Sequence, residues 1–135
     1  MEDVCPKAIV MTSKLMLTAE KARQFAKEWI EAWNSHDPDR IVEHYSSDIV
    51  FSSPFIKRMG TDASGCLRGR DSLAAYFTAA LSKFPTLRFE LRSVFHGVDA
   101  LTILYKSVNG LIAAETMVLG DDSRITRVWA QYHKL

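Results

Sequence analysis

Glu115 sits in the run Leu111 to Leu119, LIAAETMVL, where every other residue is apolar, small or hydroxylic. If strand alternation turns this carboxylate inward, it loses hydration worth several kcal/mol unless it is paired. Full burial raises a glutamate pKa by roughly 3 to 5 units, which is how a general acid or base comes to work near neutral pH. The competing reading is a structural ion pair with Lys106 or an outward-facing side chain. A second chemical stretch is Val50 to Phe55, VFSSPF, where Ser52 and Ser53 stand between two aromatics and a proline. No G-x-S-x-G elbow surrounds them, and no histidine is near in sequence, so a nucleophilic serine is not indicated. Tyr132 and Tyr76 carry phenols that can donate to a bound carbonyl.

His36, His44, His96 and His133 have no spacing that converges on a metal, and Cys5 and Cys66 form no CxxC pair. No metal, cofactor or disulfide is therefore expected, and the thiols are read as reduced and cytoplasmic.

These residues must be positioned by local structure. Ala22, Phe25, Ala26, Trp29, Ile30 and Trp33 recur at helical spacing after Thr18, and Thr18 is a plausible N-cap. Asp37-Pro38 starts a second, short helix through Tyr45. Ile49 to Ser53 reads as a strand closed by Pro54. Pro54 to Gly69 reads as a loop, longer than most. A third helix spans Arg70 to Phe84, with Leu73, Phe77 and Leu81 inward and Pro85 at its end. Strands follow at Leu87 to Phe95, Leu101 to Val108, Leu111 to Leu119 and Arg124 to His133. The layout is α+β, with three helices on one face of a curved antiparallel sheet.

Asn109-Gly110 between apolar runs predicts a two-residue hairpin loop. That register puts Leu104 opposite Glu115, and Leu104, Lys106, Glu115 and Met117 on the helix-covered face. In the last strand Val128, Ala130 and Tyr132 share that face, and small Ala130 leaves room there. Trp29, Trp33, Tyr45, Phe51, Phe55, Tyr76 and Phe77 supply the aromatic walls of an apolar cavity. The other face, carrying Ile103, Tyr105, Ile112, Ala114, Thr116 and Val118, is also apolar and predicts a homodimer through the outer side of the sheet.

The totals agree with one globular domain. The chain has 135 residues, 47% hydrophobic and 24% charged, with 17 Lys and Arg against 16 Asp and Glu. Its basic residues are scattered, so the electrostatic footprint of a nucleic-acid binder is missing, and membrane-surface binding is not expected. Residues 1–17 are expected to form a flexible tail without an export signal, and the domain to span 18–135.

The segments AWNSHDPDRIVEHYSSDIVFSSP (Ala32 to Pro54), LRGRDSLAAYF (Leu67 to Phe77) and NGLIAAETMVLGDDSRITRVWAQY (Asn109 to Tyr132) resemble the SnoaL-like branch of the nuclear transport factor 2-like superfamily. That group includes ketosteroid isomerase and SnoaL-like polyketide cyclases. The resemblance implies a cone-shaped, cystatin-like α+β fold with a hydrophobic pocket. It also aligns the isomerase base, oxyanion tyrosine and second acid with Ser53, Trp29 and Glu115. Only the last is an acid here, so the isomerase mechanism through a base at the strand end is not available. The function these features imply is acid/base chemistry on a small apolar carbonyl compound, by a lyase, isomerase or cyclase. Glu115, Ser53 and Tyr132 would be its polar residues. A non-catalytic binding protein or a dimeric interaction module of the same fold is the alternative.

Overall fold

The computed structural model describes residues 17–135. All of the expected tail except Leu17 lies outside the described residues, as does Cys5. Leu17 already donates its backbone N–H to Val98 O at 3.2 Å.

Helix α1 spans Ala19–Asn34, capped by Thr18, whose hydroxyl accepts from the Lys21 N–H at 3.1 Å. Its buried stripe is Ala22, Ala26, Trp29, Ile30 and Trp33. Helix α2 (Pro38–Val42) begins as its Asp-Pro signal predicts, with Asp37 accepting from the Asp39 N–H at 3.0 Å. It is shorter than expected. Tyr45 belongs instead to strand β1 (Tyr45–Ser52), and the polar residues before Ile49 form an irregularity inside that strand.

The segment after Pro54 is not the unstructured loop the sequence suggests. Ser53 caps a short helix α3 (Pro54–Arg58), its Oγ accepting from the Phe55 N–H at 3.2 Å. Strand β2 (Cys66–Arg68) then pairs antiparallel with β1. A serine followed by proline is the same start signal that marks Asp37-Pro38, so Ser53-Pro54 both ends a strand and opens a helix.

Helix α4 spans Arg70–Lys83, followed by β3 (Glu90–His96), β4 (Ala100–Lys106), β5 (Ile112–Leu119) and β6 (Ile125–Tyr132). The six strands form one curved, open sheet in the order β2-β1-β6-β5-β4-β3. Its ladders are antiparallel except for β1 against β6, which run parallel. The α+β layout with helices over one sheet face holds, with α3 as a fourth helical segment.

The β4–β5 hairpin differs from its expected register by one residue. Asn109 and Gly110 do take positive φ, 55° and 74°, but Val108 joins them in a short 3₁₀ turn closed by Ser107 N–H to Leu111 O at 2.7 Å. Glu115 therefore faces Ile103, and Ala113 faces Tyr105. A one-residue slip turns a whole strand over. Ile103 and Tyr105, expected outside, are buried under the helices. Leu104 and Lys106, expected as cavity lining, lie on the outer face with Ala114 and Ile112. The Lys106–Glu115 ion pair is excluded by the same geometry.

An aromatic cluster joins the layers. Trp33 meets Phe77 at 4.7 Å between ring centroids, Trp29 meets Tyr105 at 5.3 Å, and Phe89 meets Tyr105 at 4.6 Å. Each such pair adds about 0.5–1.5 kcal/mol beyond its area. Asn34 fixes the chain entering β3, donating to Phe89 O at 3.0 Å and accepting from its N–H at 2.7 Å.

Candidate functional site

Strand β5 points Glu115 into the space between sheet and helices, leaving it 3% exposed. Its direct neighbours across the ladders are Ile103 on β4 and Ala130 on β6. Neither offers a polar group. Two residues along β5, small Ala113 stands opposite Tyr105 on one side and Tyr132 on the other. Both phenols are thus diagonal to Glu115, within the reach of a long aromatic side chain.

Tyr105 makes that contact, donating its O–H to Glu115 Oε1 at 2.6 Å. The length is that of a charge-assisted O–H···O⁻ bond. Burial pushes the Glu115 carboxyl up from its ordinary 4.5 to about 7, while the Tyr105 bond pulls it partly back. Among the described residues no cation offsets the burial, and Lys106 is on the far face. Burial, reinforced by the nearby carboxylate, also raises Tyr45, Tyr105, Tyr76 and Tyr132 above their ordinary range. The phenols consequently remain neutral donors at physiological pH.

Glu115 lines a small cavity of about 50 Å³. Of the sequence-predicted residues, Glu115, Ser53 and Tyr132 all line it, together with Trp33, Phe51, Phe55, Tyr76 and Phe77. Ser53 is buried, its oxygen caps α3, and its hydroxyl lies beside the phenols of Tyr76 and Tyr132, partly offsetting the rise that burial imposes on them. Phe55 on α3 closes one side, packed edge-on against Tyr132 at 4.9 Å and Phe84 at 6.1 Å.

The remaining expected lining residues lie elsewhere. Trp29 and Tyr45 are sealed behind the wall, with Trp29 Nε1 donating to the Tyr45 hydroxyl at 3.0 Å. Met117 and Val128 are fully buried in the core, deeper along the sheet. Ala130 lines a separate surface groove with Trp129 and Lys57. Leu104 and Lys106 are outside, as the register requires.

Sequence reasoning missed Tyr105, Met59, Phe84, Phe89 and Ser107, which also line the cavity. Met59 follows from the Ser53-Pro54 start signal, which puts a helix where a loop was expected. Tyr105 follows only from the hairpin register. Phe89 precedes its strand and gives no periodic signal.

An open, curved sheet with helices over one face is the α+β fold shared with cystatin-like and nuclear transport factor 2-like structures. Within that class the chain belongs to the SnoaL-like domain family, which matches residues 26–129. It is similar to a SnoaL-like protein of unknown function from Burkholderia thailandensis, at 39% identity and a TM-score of 0.83, covering 87% of this chain and 98% of that one. A nuclear transport factor 2-like protein of unknown function from Cytophaga hutchinsonii is similar at 15% identity, TM-score 0.63, over 88% and 93%. SalBIII, described as an epoxide hydrolase/cyclase-like enzyme in pyran ring formation in the polyether salinomycin, is similar at 16% identity, TM-score 0.69, over 92% and 95%. The latter two likenesses establish fold alone. No curated protein matches the sequence. Among the described residues, no helix is long and apolar enough to cross a membrane.

Proposed function

We propose that the protein carries out acid/base chemistry, as an isomerase, lyase or cyclase, on a small apolar molecule bearing a carbonyl group. One observation carries the reading: a buried carboxyl, balanced near neutrality and without a cationic partner, opens on an aromatic cavity. Glu115 exchanges the proton, and Tyr132 and Ser53 donate to the substrate oxygen. Tyr105 holds Oε1, leaving Oε2 for the substrate. A substrate larger than this small cavity enters by displacing Phe55 and Met59 of the α3 side.

Proton NMR in D₂O tests this with a simple enolisable ketone such as cyclopentanone. The wild-type protein accelerates loss of the α-proton signals above buffer, and Glu115→Gln does not. Equal rates with the two proteins remove Glu115 from any such chemistry.

A second reading, a non-catalytic binding protein, is favoured by the serine at the strand end, which leaves the cavity with one acid and no second base. A ligand held for hours and recovered unchanged from a protein without exchange activity supports it. In either reading we propose that two copies pair through the outer sheet face. Phe95 and Trp129 are 62% and 41% exposed there, beside half-buried Leu104, Ile112, Ala114 and Val118.

A further inference from the structure

The cavity contains a charge problem that a neutral ligand does not solve. Among the described residues, Glu115 is the one formally charged residue lining it, and no Lys, Arg or His joins it there. The titratable groups around the carboxyl are the phenols of Tyr45 on β1, Tyr76 on α4, Tyr105 on β4 and Tyr132 on β6. All are neutral donors. One carboxyl oxygen accepts from Tyr105, and the other has no hydrogen-bond partner among the described residues. A buried carboxylate in this position either takes up a proton or acquires a cation.

The surroundings suit one kind of cation. Trp33, Phe51, Phe77, Phe89 and Tyr132 present rings to the same small space. Aromatic rings attract ammonium groups through their quadrupoles, by about 2 kcal/mol or more once desolvated, and aromatic enclosures are a recurrent way of recognising alkylated ammonium. Inorganic cations such as calcium and magnesium favour several carboxylate, carbonyl or water oxygens, whereas this lining offers one carboxyl and the hydroxyls of Ser53, Ser107, Tyr76 and Tyr132 among apolar rings.

We infer that this cavity is a binding site for a small organic ammonium ion, held by the free oxygen of the Glu115 carboxylate and enclosed by the surrounding aromatic rings. Such a ligand competes with the proton for Glu115 and with a carbonyl compound for the cavity. This goes beyond the acid/base reading and does not require it, since exchange activity and cation binding are measured separately.

The test is an NMR titration of the full-length chain with tetramethylammonium and with its neutral analogue tert-butanol, at constant ionic strength. At about pH 8.5 the cation is expected to bind at least about tenfold more tightly than the alcohol. Because its charge is fixed, its affinity falls roughly thirtyfold by about pH 5.5, as the carboxyl protonates. Glu115→Gln, checked for folding by circular dichroism, abolishes both the preference and the pH dependence. The comparison of the two ligands on the wild-type protein stands even if that variant does not fold. Equal affinity for the alcohol, pH-independent binding of the cation, or no saturable binding of the cation would each overturn the inference.

Discussion

Replacing Glu115 by Gln keeps the side-chain shape and removes its titration, and the consequence for stability can be worked from the structure. The carboxyl titrates at about 7 when folded, against 4.5 for an unperturbed glutamate. Below pH 4.5 it is protonated in both states, and its burial carries no ionic penalty. Between those two pH values the unfolded chain ionises while the folded one still holds its proton. Stability is therefore lost as pH rises through this window and levels off above pH 7. At about 1.4 kcal/mol per pKa unit the loss is roughly 3 kcal/mol. That is a large share of the 5–15 kcal/mol typical of a domain. Urea unfolding of both proteins from about pH 4 to 8 isolates the effect, because other groups cancel in the difference. Relative to the Gln variant, the wild type should lose roughly 3 kcal/mol across the window. A difference constant to within about 0.5 kcal/mol would refute the reasoning.

Four further outcomes follow from the same geometry. Tyr105→Phe removes the donor that pulls the carboxyl down, so Glu115 should titrate higher by about one pKa unit. Lys106→Ala on the outer face should leave it in place, and carboxyl infrared bands read both. Phe55→Ala deletes contacts with Phe84 and Tyr132, costing roughly 2 kcal/mol in urea unfolding while admitting larger ligands. Trp129→Asp puts a charge on the outer sheet face and should convert a dimer to monomers in sedimentation equilibrium, whereas a wild-type protein that sediments as a monomer removes the dimer.

Much of the fold was legible because its signals are local. Thr18 and Asp37-Pro38 mark helix starts through backbone donors that their own side chains satisfy, and the Trp29–Trp33 spacing marks the buried stripe of α1. Glu115 was legible as the lone acid of an apolar strand, although its inward orientation depends on which face of β5 the helices cover. Other features depend on information outside the segment. Whether Val108 ends a strand or enters a turn decides the face of every β4 side chain, and neighbouring residues suit either outcome. That one position separated Tyr105 from its place beside Glu115 and put Leu104 and Lys106 in the cavity. Aromatic type does not distinguish a cavity wall from the layer behind it, which is why Tyr45 and Trp29 lie deeper than their composition suggests. Ser53-Pro54 differs in kind: one dipeptide both ends a strand and opens a helix, and a closing proline signals only the first.

The account turns on the ionisation of one carboxyl. Titrating the Glu115 Cδ resonance in protein labelled with ¹³C-glutamate, with Glu115→Gln to assign the signal, reads it directly. The structure predicts a midpoint at about 7. A midpoint near 4.5 would mean a solvated carboxylate, and would contradict both the acid/base role and the enclosed site on which it depends.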